Sequence, residues 1–107
     1  METQTNPFLG TELKINISIL PLGSLTMDDY DFSVEMFCSK KRPIIIPKDS
    51  AIRVDESNYI VRVDSNVVGA GDLKCKITAK IPDEDFADGF RTEVACFETG
   101  ITITKSL

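Results

Sequence analysis

The chain has 107 residues, 42% of them hydrophobic, which suits one domain of ordinary size and argues against a disordered body. Twelve Lys and Arg stand against 17 Asp and Glu, a formal net charge of −5; this acidity argues against a nucleic-acid partner or an anionic membrane surface, because both draw on Lys and Arg. Histidine is absent, which removes the commonest general base and metal ligand and rules out a Ser-His-Asp or Cys-His device within one chain.

Residues 1–10 carry Asn6-Pro7 and Gly10 but no alternation, and they read as an extended N-terminal arm ahead of a domain at 11–107. The arm has neither a basic n-region nor an apolar h-region, so the expectation is synthesis in a reducing cytoplasm without a secretory signal. From Leu13 onward the dominant period is two, the signature of half-buried strands. Leu13, Ile15, Ile17 and Ile19 alternate with polar residues, and Pro21-Leu22-Gly23-Ser24 turns the chain. Phe32, Val34, Met36 and Cys38 form a second apolar series, with Phe37 out of phase and therefore expected at the surface. Pro43 and Pro47 bracket Ile44-Ile45-Ile46, which suits a short edge strand. Ile52 and Val54, then Tyr59, Val61 and Val63, predict a hairpin around Asp55–Asn58. Val67–Gly71 reads as a connection, and Leu73, Cys75, Ile77, Ala79 and Ile81 give the cleanest alternation in the chain. An acidic loop from Pro82 to Gly89 leads to a last strand with Thr92, Val94 and Cys96 inward, a bulge or bend at Thr99-Gly100, and Ile101 and Ile103 beyond it. About seven short strands at even spacing predict a single antiparallel β-sandwich of the immunoglobulin-like kind.

Few residues invite chemistry. Cys38, Cys75 and Cys96 each fall in phase with their apolar neighbours and read as small buried hydrophobes; their odd number and wide spacing suit neither a disulfide framework nor a zinc site. Asp28, Asp29 and Asp31, and again Asp83, Glu84, Asp85 and Asp88, have the oxygen chemistry that calcium takes, or that a carboxylate pair needs for hydrolysis. Neither cluster has an EF-hand spacing, and solvated turns account for both. No cofactor or metal is expected, and no catalytic residue is assigned. Candidate contact residues are Phe8 and Leu9 in the arm, Phe37, and the basic turn Lys40, Lys41 and Arg42. Phe86, Phe90 and Tyr30 are further aromatics for an alternative role, recognition of a host-surface glycan or protein by a tail or baseplate module, although the chain has no tryptophan.

Asp88-Gly89-Phe90-Arg91-Thr92-Glu93-Val94 followed by Thr99-Gly100-Ile101-Thr102-Ile103 resembles a C-terminal pattern of small virion proteins from Bacteroides-infecting phages, crAss-like phages included. The upstream order is similar too: Tyr30-Asp31-Phe32-Ser33-Val34, a basic turn, Asn58-Tyr59-Ile60-Val61, and Gly71-Asp72-Leu73. The likeness spans residues 11 to 104. It implies an immunoglobulin-like head-fibre or capsid-decoration protein of the virion, without catalytic residues, that docks on capsid or other virion proteins and self-associates as a dimer or trimer. The chain departs from complete fibres in lacking a shaft, a coiled coil and a receptor-binding domain.

Overall fold

The computed structural model describes residues 7–39 and 41–105, and the described part is a sandwich of two antiparallel sheets. Strands β1 (Glu12–Ser18), β4 (Ile52–Asp55) and β5 (Asn58–Asp64) form a three-stranded sheet in the order β1-β5-β4. Strands β2 (Asp31–Phe37), β3 (Ile44–Pro47), β6 (Gly71–Pro82) and β7 (Phe90–Ile103) form a four-stranded sheet in the order β3-β2-β6-β7. A 3₁₀ turn at Lys48–Ser50 links β3 to β4, and one helical turn, α1 (Ser65–Val68), links β5 to β6.

Alternation decides which face each strand buries. Phe32, Val34 and Met36 of β2 and Leu73, Cys75, Ile77, Ala79 and Ile81 of β6 point into the space between the sheets. Cross-strand partners share a face, and the pairs Phe32–Ala79, Val34–Ile77 and Met36–Cys75 bring these two series together. Tyr59, Val61 and Val63 of β5 cover them from the opposite sheet, with Ile17 of β1 beside them. The ring of Phe32 meets Tyr59 edge-on at 5.1 Å and 87°. As expected, the isoleucine triplet is an edge strand: Ile46 faces the core while Ile45 stays exposed. The long terminal strand also has its break where Thr99-Gly100 predicts it. The register with β6 shifts between the pairs Asp72–Thr102 and Lys74–Glu98, and Gly100 has a φ of 82°, which a side chain would resist.

Other expectations are corrected. Ile52 and Val54 lie in strand β4 but are exposed: Ile52 stands opposite Ile60, one residue out of phase with the core-facing Tyr59, and Val54 falls in the register shift between Arg53 and Asp55. Phe37 is only 9% exposed despite lying on the outer side of its sheet, where it pairs with Lys74. Residues 65–68 are helical, with the Asp64 carboxylate capping Asn66 N–H at 2.9 Å, and Val68 is fully buried. The register of β7 is one residue away from the reading of Val94 and Cys96 as inward. The turn bond from Asp83 N–H to Gly89 O, 2.9 Å, sets Pro82 opposite Phe90, so Arg91, Glu93, Ala95 and Phe97 share the face of Ile81, Ala79, Ile77 and Cys75. Val94 and Cys96 therefore point outward beside Thr78 and Lys76.

This register makes a direct prediction for β6. Leu73→Ala should lower unfolding stability by about 2–5 kcal/mol, the cost of an unfilled core position. Its neighbour Lys74→Ala should change stability by no more than about 0.5 kcal/mol. Urea titration of the two variants checks both, and a reversed order would place the strand one residue out of register.

Candidate interaction surface

The four-stranded sheet is one strand wider than the sheet it faces, and β7 is the strand left over. Its inward residues follow the core side of β6, yet Glu93, Ala95 and Phe97 are exposed, Phe97 at 45%. Between this uncovered face and the chain leaving β1 lies an open groove of about 490 Å³. Its floor is Ile77, Ala79 and Ile81, its far wall is β7 from Glu93 to Phe97, and its near rim is Ile19, Leu20 and Leu22. Leu20 is 83% exposed. An apolar patch of this size beside an edge strand marks a protein contact more readily than a small-molecule site.

The rim is held in place by its backbone. Leu22 and Leu25 exchange two hydrogen bonds of 2.9 and 3.0 Å, Ile19 N–H donates to Ser57 O at 3.3 Å, and Met27 N–H donates to Glu56 O at 3.0 Å. Met27 and Tyr30 are buried beneath the segment, and the Tyr30 hydroxyl donates to Leu25 O at 3.2 Å. The first acidic cluster completes this anchor. Arg53 Nε and Nη2 each donate to Asp28 at 2.8 Å, a forked pairing, and the Tyr59 hydroxyl donates to the same carboxylate at 2.6 Å. Lys48 Nζ donates to the carbonyls of Asp28 and Tyr30 at 2.9 and 2.6 Å and sits 5.6 Å from the Phe32 ring centre. The Arg53 hydrogen bonds, then that of Tyr59, hold the Asp28 carboxyl well below the usual carboxylate range. Burial, and then the Asp28 carboxylate, raise the Tyr59 phenol above its ordinary value. Asp28 is thus a structural anion joining the β1–β2 connection to the β4–β5 hairpin, a role its sequence neighbourhood did not signal.

The second acidic cluster closes a turn. Asp83 Oδ1 accepts from Asp85 N–H at 3.0 Å and Asp88 Oδ1 from Phe90 N–H at 3.1 Å. Among the described residues, no group of three or more His, Cys, Asp or Glu is placed to hold a metal. The cysteines differ from one another. Cys75 is buried, and burial pushes its thiol up to about 11. Cys38 is half-buried, its thiol raised by burial, and donates to Gly71 O at 3.5 Å. Cys96 is exposed on the outer side of β7, which corrects its reading as a core residue.

The expected contact residues do not form one site. Phe8 is 42% exposed, but Leu9 packs against the core of its own chain. Leu9 N–H donates to Thr104 O at 2.9 Å and Thr104 N–H to Pro7 O at 2.8 Å, so residues 7–9 lie beside the end of the last strand and Leu9 needs no second molecule for its burial. Phe37 is buried and offers no free surface. Lys41 is exposed, and Arg42 donates to Asn66 O at 3.1 Å. Lys40, with residues 1–6 of the arm, falls outside the described residues. In the sequence the groove is marked only by Leu20 and Leu22 beside Pro21, two leucines in a turn that needs none.

No family model, curated protein or solved structure matches the chain. Among the described residues no helix is long and apolar enough to cross a membrane.

Folding and acid sensitivity should meet at Asp28. Its folded-state pKa lies below the unfolded value of about 3.9. The folded chain then binds fewer protons than the unfolded one in that interval, so the contribution is complete above the unfolded pKa and is lost as pH falls through the folded one. Urea midpoints measured from pH 7 down to pH 2 should fall less steeply below pH 4 in Asp28→Asn than in the wild type. The variant should also be less stable at pH 7.

Proposed function

We propose that the protein is a structural interaction module of a virion, a capsid-attached head-fibre or decoration protein that works by docking and self-association. The observation that carries the docking part is the groove between Ile19–Leu22 and β7, where core residues of β6 are reached from outside. A chain of this size gains stability by covering such a face, so leaving it open suits a surface that is covered by another protein. The absence of histidine and the use of both acidic clusters as structural anions and turn caps support a reading without catalysis. The virion assignment is supported by the likeness of residues 88–103 and of the upstream strand order to small phage virion proteins, in their immunoglobulin-like form.

Co-sedimentation of the purified full chain with capsids of a Bacteroides-infecting phage tests this. The wild type should travel with the particles and saturate them. Leu20→Glu combined with Leu22→Glu should lower occupancy at least tenfold while leaving circular dichroism unchanged, because both side chains are exposed. Protein that stays at the top of the gradient at every ratio would contradict the virion reading.

A further inference from the structure

We infer that β7 is the self-association edge, and that a second copy pairs with it antiparallel about a two-fold axis at Cys96. This rests on the docking reading and names the partner for one edge of the same surface.

Among the described residues the edge is open and regular from Phe90 to Glu98, and Pro7–Leu9 meet the C-terminal run only beyond β7, at Thr104. Among the described residues β7 pairs with β6 alone, and its register runs unbroken from Phe90 to Glu98. The bond between Asp83 N–H and Gly89 O makes Asp83–Gly89 a hydrogen-bonded position, and the alternation of an antiparallel ladder then fixes the rest. Arg91, Glu93, Ala95 and Phe97 bond to β6. Phe90, Thr92, Val94, Cys96 and Glu98 turn their N–H and C=O groups away from it. Pro82, which has no N–H, sits opposite Phe90 at a position that needs none. Residues 90–98 contain no proline, no lysine and no bulge; the inward charges that can also block an edge, Arg91 and Glu93, are paired with each other, and Val94 is 56% exposed.

Charge selects a second copy and its direction. At the hairpin end of β7 lie Asp83, Glu84, Asp85 and Asp88, with Arg91 bound to Asp83 and Glu93 at 3.5 and 2.8 Å. At the other end, Lys74 and Lys105 balance Asp72 and Glu98. An antiparallel second copy sets the acidic end of each molecule beside this neutral end of the other, where Lys74 and Lys105 stand, and a two-fold axis closes the pair. A parallel copy would oppose like charges.

Side chains select the register. With Cys96 on the axis, Phe97 lies over the second copy's Ala95, Glu93 over Thr99 and Val94 over Glu98. Centring on Ala95 sets Glu93 against Phe97, and centring on Val94 sets Glu93 against Ala95 and Arg91 against Phe97, charged side chains over apolar ones. A centre at Phe97 sets Gly100 and its bulge opposite Val94, one residue nearer the axis than with Cys96 on it, where Gly100 meets Thr92. The result is one eight-stranded sheet through both molecules. Directly opposed hydrogen-bonded residues have Cα atoms about 5.5 Å apart, inside the roughly 4.4–6.8 Å that a disulfide spans. The two Cys96 thiols therefore report on the register.

Sedimentation velocity over a concentration series, together with mild copper-catalysed oxidation, tests the inference. The wild type should form a reversible dimer, and oxidation should trap it through Cys96–Cys96, with Cys96→Ser abolishing the covalent product. Val94→Pro removes an N–H that points away from β6, so it should keep the wild-type circular dichroism and lose dimerisation at least tenfold. A Val94→Pro protein that dimerises as the wild type does, or a dimer that crosslinks through Cys38, would overturn the inference. A wild type that is monomeric but still co-sediments with capsids would overturn the dimer alone. A dimer that ignores capsids would overturn the virion reading alone.

Discussion

Three strands stacked on four cannot cover the wider sheet, and most of what distinguishes this surface follows from that mismatch. The three-stranded sheet shields β2 and β6, so their alternating residues are buried as a sandwich core requires. It leaves β7 uncovered from Phe90 to Glu98, where hydrogen bonds to β6 hold the strand with little apolar packing; only beyond Gly100 do Ile101 and Ile103 rejoin the core. A strand in that position can carry Glu93 on its inward face without the penalty that a buried carboxylate meets. It can also leave Phe97 and Ala95 uncovered, at the cost of an edge prone to pairing with other chains.

The other end of the groove depends on a polar anchor. The segment from Ile19 to Tyr30 contains no strand, and a connection of this length would usually wander. Here Met27 and Tyr30 plug it into the core, and Asp28 binds Arg53 and Tyr59 from the opposite hairpin. Most of these contacts are partly exposed, so their value lies in fixing geometry more than in stability. Leu20 and Leu22 are consequently presented as a rim rather than folded over the groove they border.

Much of the fold was legible because burial on one face enforces a strict period of two. Phe32, Val34 and Met36, the Tyr59–Val63 series and the Leu73–Ile81 series announce both strand and facing direction. The reading fails where that enforcement ends. In β7 neither face is fully buried, so Val94 and Cys96 were as apolar as Ala95 and Phe97 and the phase could not be chosen from composition; the Asp83–Gly89 turn chooses it. Phe37 is buried on the outer side of its sheet, a placement that strand alternation does not encode. Asp28 looks like its neighbours Asp29 and Asp31 in sequence, and only the chain's return at Arg53 and Tyr59 sets it apart. The arm was legible as a segment without strand pattern, but the place of Leu9 against the core depends on the end of the last strand, 95 residues away at Thr104.

The central claim is that β7 offers an open edge to other chains, and residue-resolved amide hydrogen exchange reads that edge directly. In dilute protein the amides of Glu93, Ala95 and Phe97, bonded to β6, should exchange slowly, while those of Thr92, Val94, Cys96 and Glu98 should exchange fast. Raising the concentration should protect the second set and leave the first unchanged. Equal protection of both sets in dilute protein would mean that the edge is already covered within the single chain, and would contradict the account.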